Sequence, residues 1–208
     1  MLDFPTLVHQ CTGSEVTLQV LERIVTVESG FNPLAIGVVG GRLARQPVTR
    51  DEAVATARYL HLGGWNFSMG LGQINRHNLK RYDLDYETAF EPCSNIRVTA
   101  LIFSDCLQRA SKRIAEPEQA LKAAYSCYYS GNFSRGFQPE GKMQQSYVDK
   151  IMAVEPSPVA KATLPITVIP NAAPRKPPQS RKAETGQGKI SRLNGATGAT
   201  GVRELRGN

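Results

Sequence analysis

Residues 14–33 read SEVTLQVLERIVTVESGFNP, and within them Leu18, Leu21, Val25 and Glu28 fall at steps of three, four and three. That spacing predicts an amphipathic helix over residues 14–29, with these four side chains on one stripe facing a core and Gly30 and Pro33 ending it. Glu28 therefore puts a carboxyl group where packing alone would place another aliphatic one. A carboxyl group there has two reasons to keep its proton: burial disfavours the charged form, and the negative end of the helix repels it. The competing reading of Glu28 is a side chain turned outward at a frayed helix end, and the helix by itself does not choose between them.

Working outward, the same helical period recurs. Phe4–Cys11 reads as a short helix capped by Asp3 with Pro5 in its first turn. Residues 36–47, with Gly37, Gly40 and Gly41, read as an irregular loop or small hairpin. Thr49-Arg50-Asp51-Glu52 has the spacing of a capping box and opens a helix through Val54, Ala57 and Leu60 to Gly63-Gly64. A polar, glycine-punctuated stretch follows over residues 65–75. From about Ile96, the residues Ala100, Phe103, Leu107, Ala110 and Ile114 alternate steps of four and three, and Pro117 starts another helix that Ser130-Gly131-Asn132 breaks. A last helix carries Tyr147, Val148 and Ile151. Strand signals are scarce and no internal repeat of solenoid length appears, so the expected class is mainly α with a small irregular or hairpin segment.

The chain divides near residue 155. Residues 156–208 hold no Phe, Trp, Tyr or Cys but seven of the 13 prolines, a composition that builds no core and predicts a disordered tail behind a folded domain at 1–155. Nine Lys and Arg against two Glu give that tail a net +7, the whole excess of the chain. Without aromatic residues to stack on bases, the basic tail does not read as a nucleic-acid module; a solvated linker or a protein-docking segment suits it better.

Cys11, Cys93, Cys106 and Cys127 all fall in the folded part and show no metal-ligand spacing, while His9, His61 and His77 lie on different predicted elements. Neither a metal nor any other cofactor is expected. An even count without ligand geometry suits two disulfides and an oxidising compartment. The helices over 97–114 and 118–129 are joined by a short link and should pack as a hairpin, bringing Cys106 to Cys127 and leaving Cys11 for Cys93, one of three possible connectivities. Met1-Leu2-Asp3 lacks a basic start and no apolar run of signal-peptide length follows, so no export signal is legible, nor is any membrane span.

Four motifs then carry a resemblance. Glu28-Ser29-Gly30-Phe31-Asn32-Pro33, Ser68-Met69-Gly70-Leu71-Gly72-Gln73-Ile74-Asn75, Tyr128-Tyr129-Ser130-Gly131 and Tyr147-Val148 resemble, in order and spacing, the signatures of soluble-type lytic transglycosylases, which have a lysozyme-like fold. Within that family the chain is most similar to the peptidoglycan-cleaving subunit of type IV secretion and conjugation systems, on the strength of Ile36-Gly37-Val38-Val39-Gly40-Gly41, Gly64-Trp65-Asn66-Phe67 and Cys127-Tyr128-Tyr129-Ser130-Gly131-Asn132-Phe133.

The resemblance implies that Glu28 protonates the β-1,4 bridging oxygen between N-acetylmuramic acid and N-acetylglucosamine and then acts as base. The muramic acid's own C6 hydroxyl closes a 1,6-anhydro ring, so the second carboxylate of ordinary glycosidases is dispensable. A carboxyl group in such a pocket can rise from about 4.3 to about 6, the magnitude known for lysozyme. Ser68, Gln73 and Asn75 resemble residues that line the sugar groove, Gln73 offering both a donor and an acceptor. Tyr128 matches an aromatic wall of the cleft, and Tyr147 the tyrosine whose hydroxyl orients the acid. Tyr129 departs from the pattern, standing where the family commonly has Asn; Asn132 is the nearest side chain able to supply the hydrogen bond lost there. The resemblance further implies a periplasmic protein acting on glycan strands and meeting other secretion-system subunits, with the tail as a candidate contact. A hydrolytic muramidase, for which Asp83 and Asp85 would be the nearest second carboxylates, and a non-catalytic glycan-binding scaffold are the alternative functions.

Overall fold

The computed structural model describes residues 3–13, 16–141 and 143–155. The tail expected to be disordered, residues 156–208, lies outside the described residues, as do residues 14 and 15. Among the described residues there are six α-helices, α1 (Phe4–Cys11), α2 (Leu18–Ser29), α3 (Arg50–Leu62), α4 (Pro92–Ser111), α5 (Pro117–Ser130) and α6 (Tyr147–Ala153). Three short strands, β1 (Ile36–Val38), β2 (Phe67–Met69) and β3 (Ile74–Asn75), form one antiparallel sheet in the order β1-β2-β3. No helix among the described residues is long and apolar enough to cross a membrane.

Local chemistry sets the helix ends. Asp3 accepts from the Thr6 amide at 2.9 Å and Pro5 sits in the first turn of α1. The helix expected over 14–29 begins at Leu18, because the Thr17 hydroxyl accepts from the Val20 amide and caps it there. Its other end is closed by Gly30 in the left-handed region, φ 57°. Thr49 caps α3 by accepting from the Glu52 amide, but the capping box is only half made: the Glu52 side chain turns to the Val48 amide and Arg45 instead of the Thr49 amide. A full box closes α6, with Ser146 and Asp149 exchanging both bonds. The helix expected from Ile96 starts at Pro92, where proline in the first turn needs no amide partner.

The small hairpin expected within residues 36–47 is corrected. β1 pairs with β2, with Ile36 opposite Met69 and Val38 opposite Phe67, and the Gln46 side chain bridges the loop by bonding both the amide and the carbonyl of Ile36. A three-residue strand carries too little alternation to reveal its partner.

Two apolar clusters divide the domain. One gathers Leu21, Ile24 and Val25 of α2 with Phe103 of α4, Tyr125 of α5 and Ile151 of α6. The other packs Phe67, Met69 and Ile74 of the sheet against Ala57 of α3, Phe90 and Val98. Helix α4 serves both, with Phe103 in the first and Val98 in the second. Glu28 comes from the first lobe and Ser68, Gln73 and Asn75 from the second.

Two disulfides brace this frame: Cys11 with Cys93, joining the end of α1 to the start of α4, and Cys106 with Cys127 across the α4–α5 pair. The first closes a sequence separation of 82 residues. Replacing both of its cysteines by serine should cost about 2–4 kcal/mol of unfolding free energy. Urea denaturation of the double variant checks this, and an unchanged midpoint would show that α1 contributes little to the cooperative unit.

Candidate active site

A groove of about 680 Å³ runs between the lobes, lined by Glu28 from α2, Gly37 and Val38 from β1, Ser68 from β2, Gln73 and the α5 residues Tyr128 and Tyr129. Glu28 occupies the last turn of α2 and is half-buried. Tyr147, at the first position of α6 and almost fully buried, donates its hydroxyl to Glu28 Oε1 at 2.6 Å. Burial pushes the Glu28 carboxyl group up to about 7, against the smaller opposing pull of the Tyr147 hydrogen bond. Burial and the neighbouring Glu28 together hold the Tyr147 phenol well above its ordinary value, so it stays a donor. Glu28 is thus a proton carrier poised near neutral pH, held at one oxygen and turned to the groove with the other.

The second lobe supplies polar groups, in a different way from the sequence expectation. Gln73 has φ 50°, and its Nε2 donates to the carbonyls of Ala35 (3.1 Å) and Gly70 (3.0 Å). Its amide protons are therefore spent on the backbone, and what it can offer a ligand is the Oε1 acceptor, not the donor and acceptor pair. A Cβ at Gly37 would stand 2.6 Å from that oxygen, so this strand position has room for nothing larger than glycine. Asn75 caps the turn that follows it through the His77 amide, and donates to Asn66 Oδ1 and Ser68 Oγ. Its amide fixes the groove floor, while Ser68, accepting from Asn75, keeps its own hydroxyl proton for a ligand.

Tyr128 forms wall. Its hydroxyl donates to the Gly72 carbonyl at 2.6 Å and burial raises its phenol far above the usual range. Asn132 does not replace the missing family contact: its Oδ1 accepts from the Ser134 and Arg135 amides and so shapes the loop after α5. Asp83 and Asp85 lie away from the groove lining; Asp85 caps its own turn by accepting from Thr88, which lowers its pKa. The charged side chains that do line the groove, besides Glu28, are Asp105, Arg81, Arg109 and Arg135, and Asp105 is tied to Arg109 at 3.1 Å.

The description transglycosylase SLT domain matches residues 10–147 of the chain. The chain belongs to this family. The SLT domain is here a mainly helical, lysozyme-like fold with its groove between a helical lobe and a small sheet. Among curated relatives, the type IV secretion system protein virB1 of Brucella suis biovar 1 (strain 1330) is 47% identical over 184 residues, 88% of this chain and 74% of the relative. The protein of the same name from Brucella abortus (strain 2308) gives the same figures. Protein virB1 of Agrobacterium tumefaciens (strain 15955) is 31% identical over 137 residues, 65% of this chain and 56% of the relative. No solved structure gives a significant match.

One residue that supports the SLT groove escaped the sequence reading. Asn95 of α4, 1% exposed, accepts from the Gly72 amide (2.8 Å) and donates to the carbonyls of Met69 (3.0 Å) and Ala89 (2.7 Å). It pins the Gly70-Leu71-Gly72-Gln73 loop from beneath, and a Cβ at either glycine would collide with Asn95 or Thr99. The signal in the sequence was the polar pair Asn95 and Thr99 at i and i+4, alongside an otherwise apolar stripe.

Proposed function

We propose that this SLT domain is a peptidoglycan lytic transglycosylase in which Glu28 is the single acid and base. The observation that carries the reading is a carboxyl group raised to about 7, held at one oxygen by a buried tyrosine, and opening on a groove between two lobes. Protonated Glu28 gives its proton to the oxygen linking N-acetylmuramic acid to N-acetylglucosamine, and that bond breaks. The resulting carboxylate then takes the proton of the muramic acid C6 hydroxyl as that oxygen bonds to C1, giving the 1,6-anhydro product and restoring the acid. Tyr147 holds the carboxyl group through both steps, and Ser68 and Gln73 offer a donor and an acceptor to the sugars.

Arg109 neutralises Asp105, the other carboxylate lining the groove, which supports a route needing one carboxyl group over hydrolysis with two. The likeness to the virB1 proteins supports a place beside a type IV secretion apparatus, opening the wall locally, and hence a periplasmic site of action. Two disulfides suit that compartment. Mass spectrometry of sacculi digested with the purified protein should show anhydromuropeptides. Reducing ends alone would make it a hydrolase, and intact strands a binding subunit.

A further inference from the structure

Tyr129 ends α5 next to Tyr128 and stands 39% exposed on the groove. Its ring lies nearly parallel on that of Tyr147, centroids 4.4 Å apart and planes at 15°. Its hydroxyl donates to the Glu140 carboxylate, 2.9 and 2.8 Å from the two oxygens, and Glu140 also meets Arg135 at 3.3 Å. Glu140 belongs to the loop between α5 and α6, where it pairs with Gln145 across an isolated bridge. The Tyr129 ring is therefore fixed at both its face and its hydroxyl, and the tyrosine beneath it is the one that touches Glu28.

We propose that Tyr129 is a positioning residue that acts on Glu28 through Tyr147, its ring clamping that tyrosine onto the carboxyl group while Glu140 fixes the ring in place. This rests on the reading of Glu28 as the acid. The titratable groups facing Glu28 are Tyr147 from α6 and Tyr128 and Tyr129 from α5. Arg81, Asp105, Arg109 and Arg135 line the groove without contributing to its shift. Removing the Tyr129 ring has two opposed consequences: water reaching Glu28 favours the charged form, and a loosened Tyr147 hydrogen bond disfavours it. Burial is the larger influence on Glu28, so the net change is downward.

The test is a carbon NMR titration of the Glu28 side-chain carboxyl in the full chain, assigned by its loss in Glu28→Gln. Tyr129→Ala should move the midpoint down from near 7 by about 1 unit. Tyr129→Phe, which keeps the ring and loses the tether, should move it down by about half as much, as should Glu140→Gln. Should the alanine variant fail to fold, these two carry the test. A midpoint unmoved or raised in the folded variants overturns the proposal, since a residue that merely packs would not alter the titration. Turnover of peptidoglycan is read alongside: Tyr129→Ala should lose roughly tenfold in kcat at pH 8 and less at pH 6, with KM nearly constant. Shifted midpoints with no turnover by the wild type would keep the clamp and sink the enzymatic reading; turnover with fixed midpoints would do the reverse.

Discussion

Glu28→Gln should abolish cleavage of peptidoglycan, by about 10³-fold or more, while making the folded domain more stable above neutral pH. The amide fills the same space and can still meet the Tyr147 hydroxyl, but it has no proton to give to a leaving oxygen. The stability gain follows from the sign of the Glu28 shift. Its folded-state value of about 7 exceeds the ordinary 4.5, so between these limits the folded chain holds a proton that the unfolded chain has released. Stability from this group is therefore intact below pH 4.5 and declines as pH rises towards 7, above which the whole cost of burying the charge is felt. With the carboxyl group half-open to the groove, that cost is about 1–3 kcal/mol. Calorimetry at pH 8 should show Tm about 2–8 °C higher for Glu28→Gln than for wild type, and at pH 4 no difference. Equal Tm values at both pH values would mean that Glu28 is solvated and has no reason to stay protonated.

Asn95→Ala is expected to be the most damaging substitution for stability outside the apolar core. It strands the Gly72 amide and the Met69 and Ala89 carbonyls, each left without its partner at about 1–3 kcal/mol, for a total of about 3–6 kcal/mol. Water cannot easily replace the side chain, because Thr99 is fully buried and Met69 and Ala89 are closed in on the same side. Asn95→Leu, though apolar and of similar size, should fare no better, since what is lost is three hydrogen bonds and not volume. Urea denaturation measures the loss, and a change under about 1 kcal/mol would mean the loop is held by other contacts. Activity should fall further than stability at temperatures where the variant still folds, because Gln73 and Ser68 ride on the strands that Asn95 anchors.

Much of this was legible in the sequence, and the reason is local. Helix α1 was readable to the residue because Asp3, Pro5 and Cys11-Thr12-Gly13 act within one or two turns of themselves. The α4–α5 hairpin followed from two apolar stripes and the short link between them, and the proximity of Cys106 to Cys127 followed from the hairpin. Glu28 stood out because one carboxyl group interrupted a period. Where the reading slipped, the competing interaction lay far along the chain. The β1 strand pairs with residues some thirty positions on, and strands of two or three residues have no period to announce that.

The sequence alone settled that residues before about 155 make a helical domain and that one acid sits on its inner stripe, because helical period, caps and the count of apolar side chains are properties of neighbouring residues. Tertiary structure decided what that acid experiences. Tyr147 reaches Glu28 across 119 positions, Gln73 turns its donors inward to Ala35 and Gly70, and Tyr129 lies on Tyr147 with Glu140 at its hydroxyl. Each of these depends on distance and direction between side chains that only packing fixes, and a proton affinity is set by those distances and by the water they exclude.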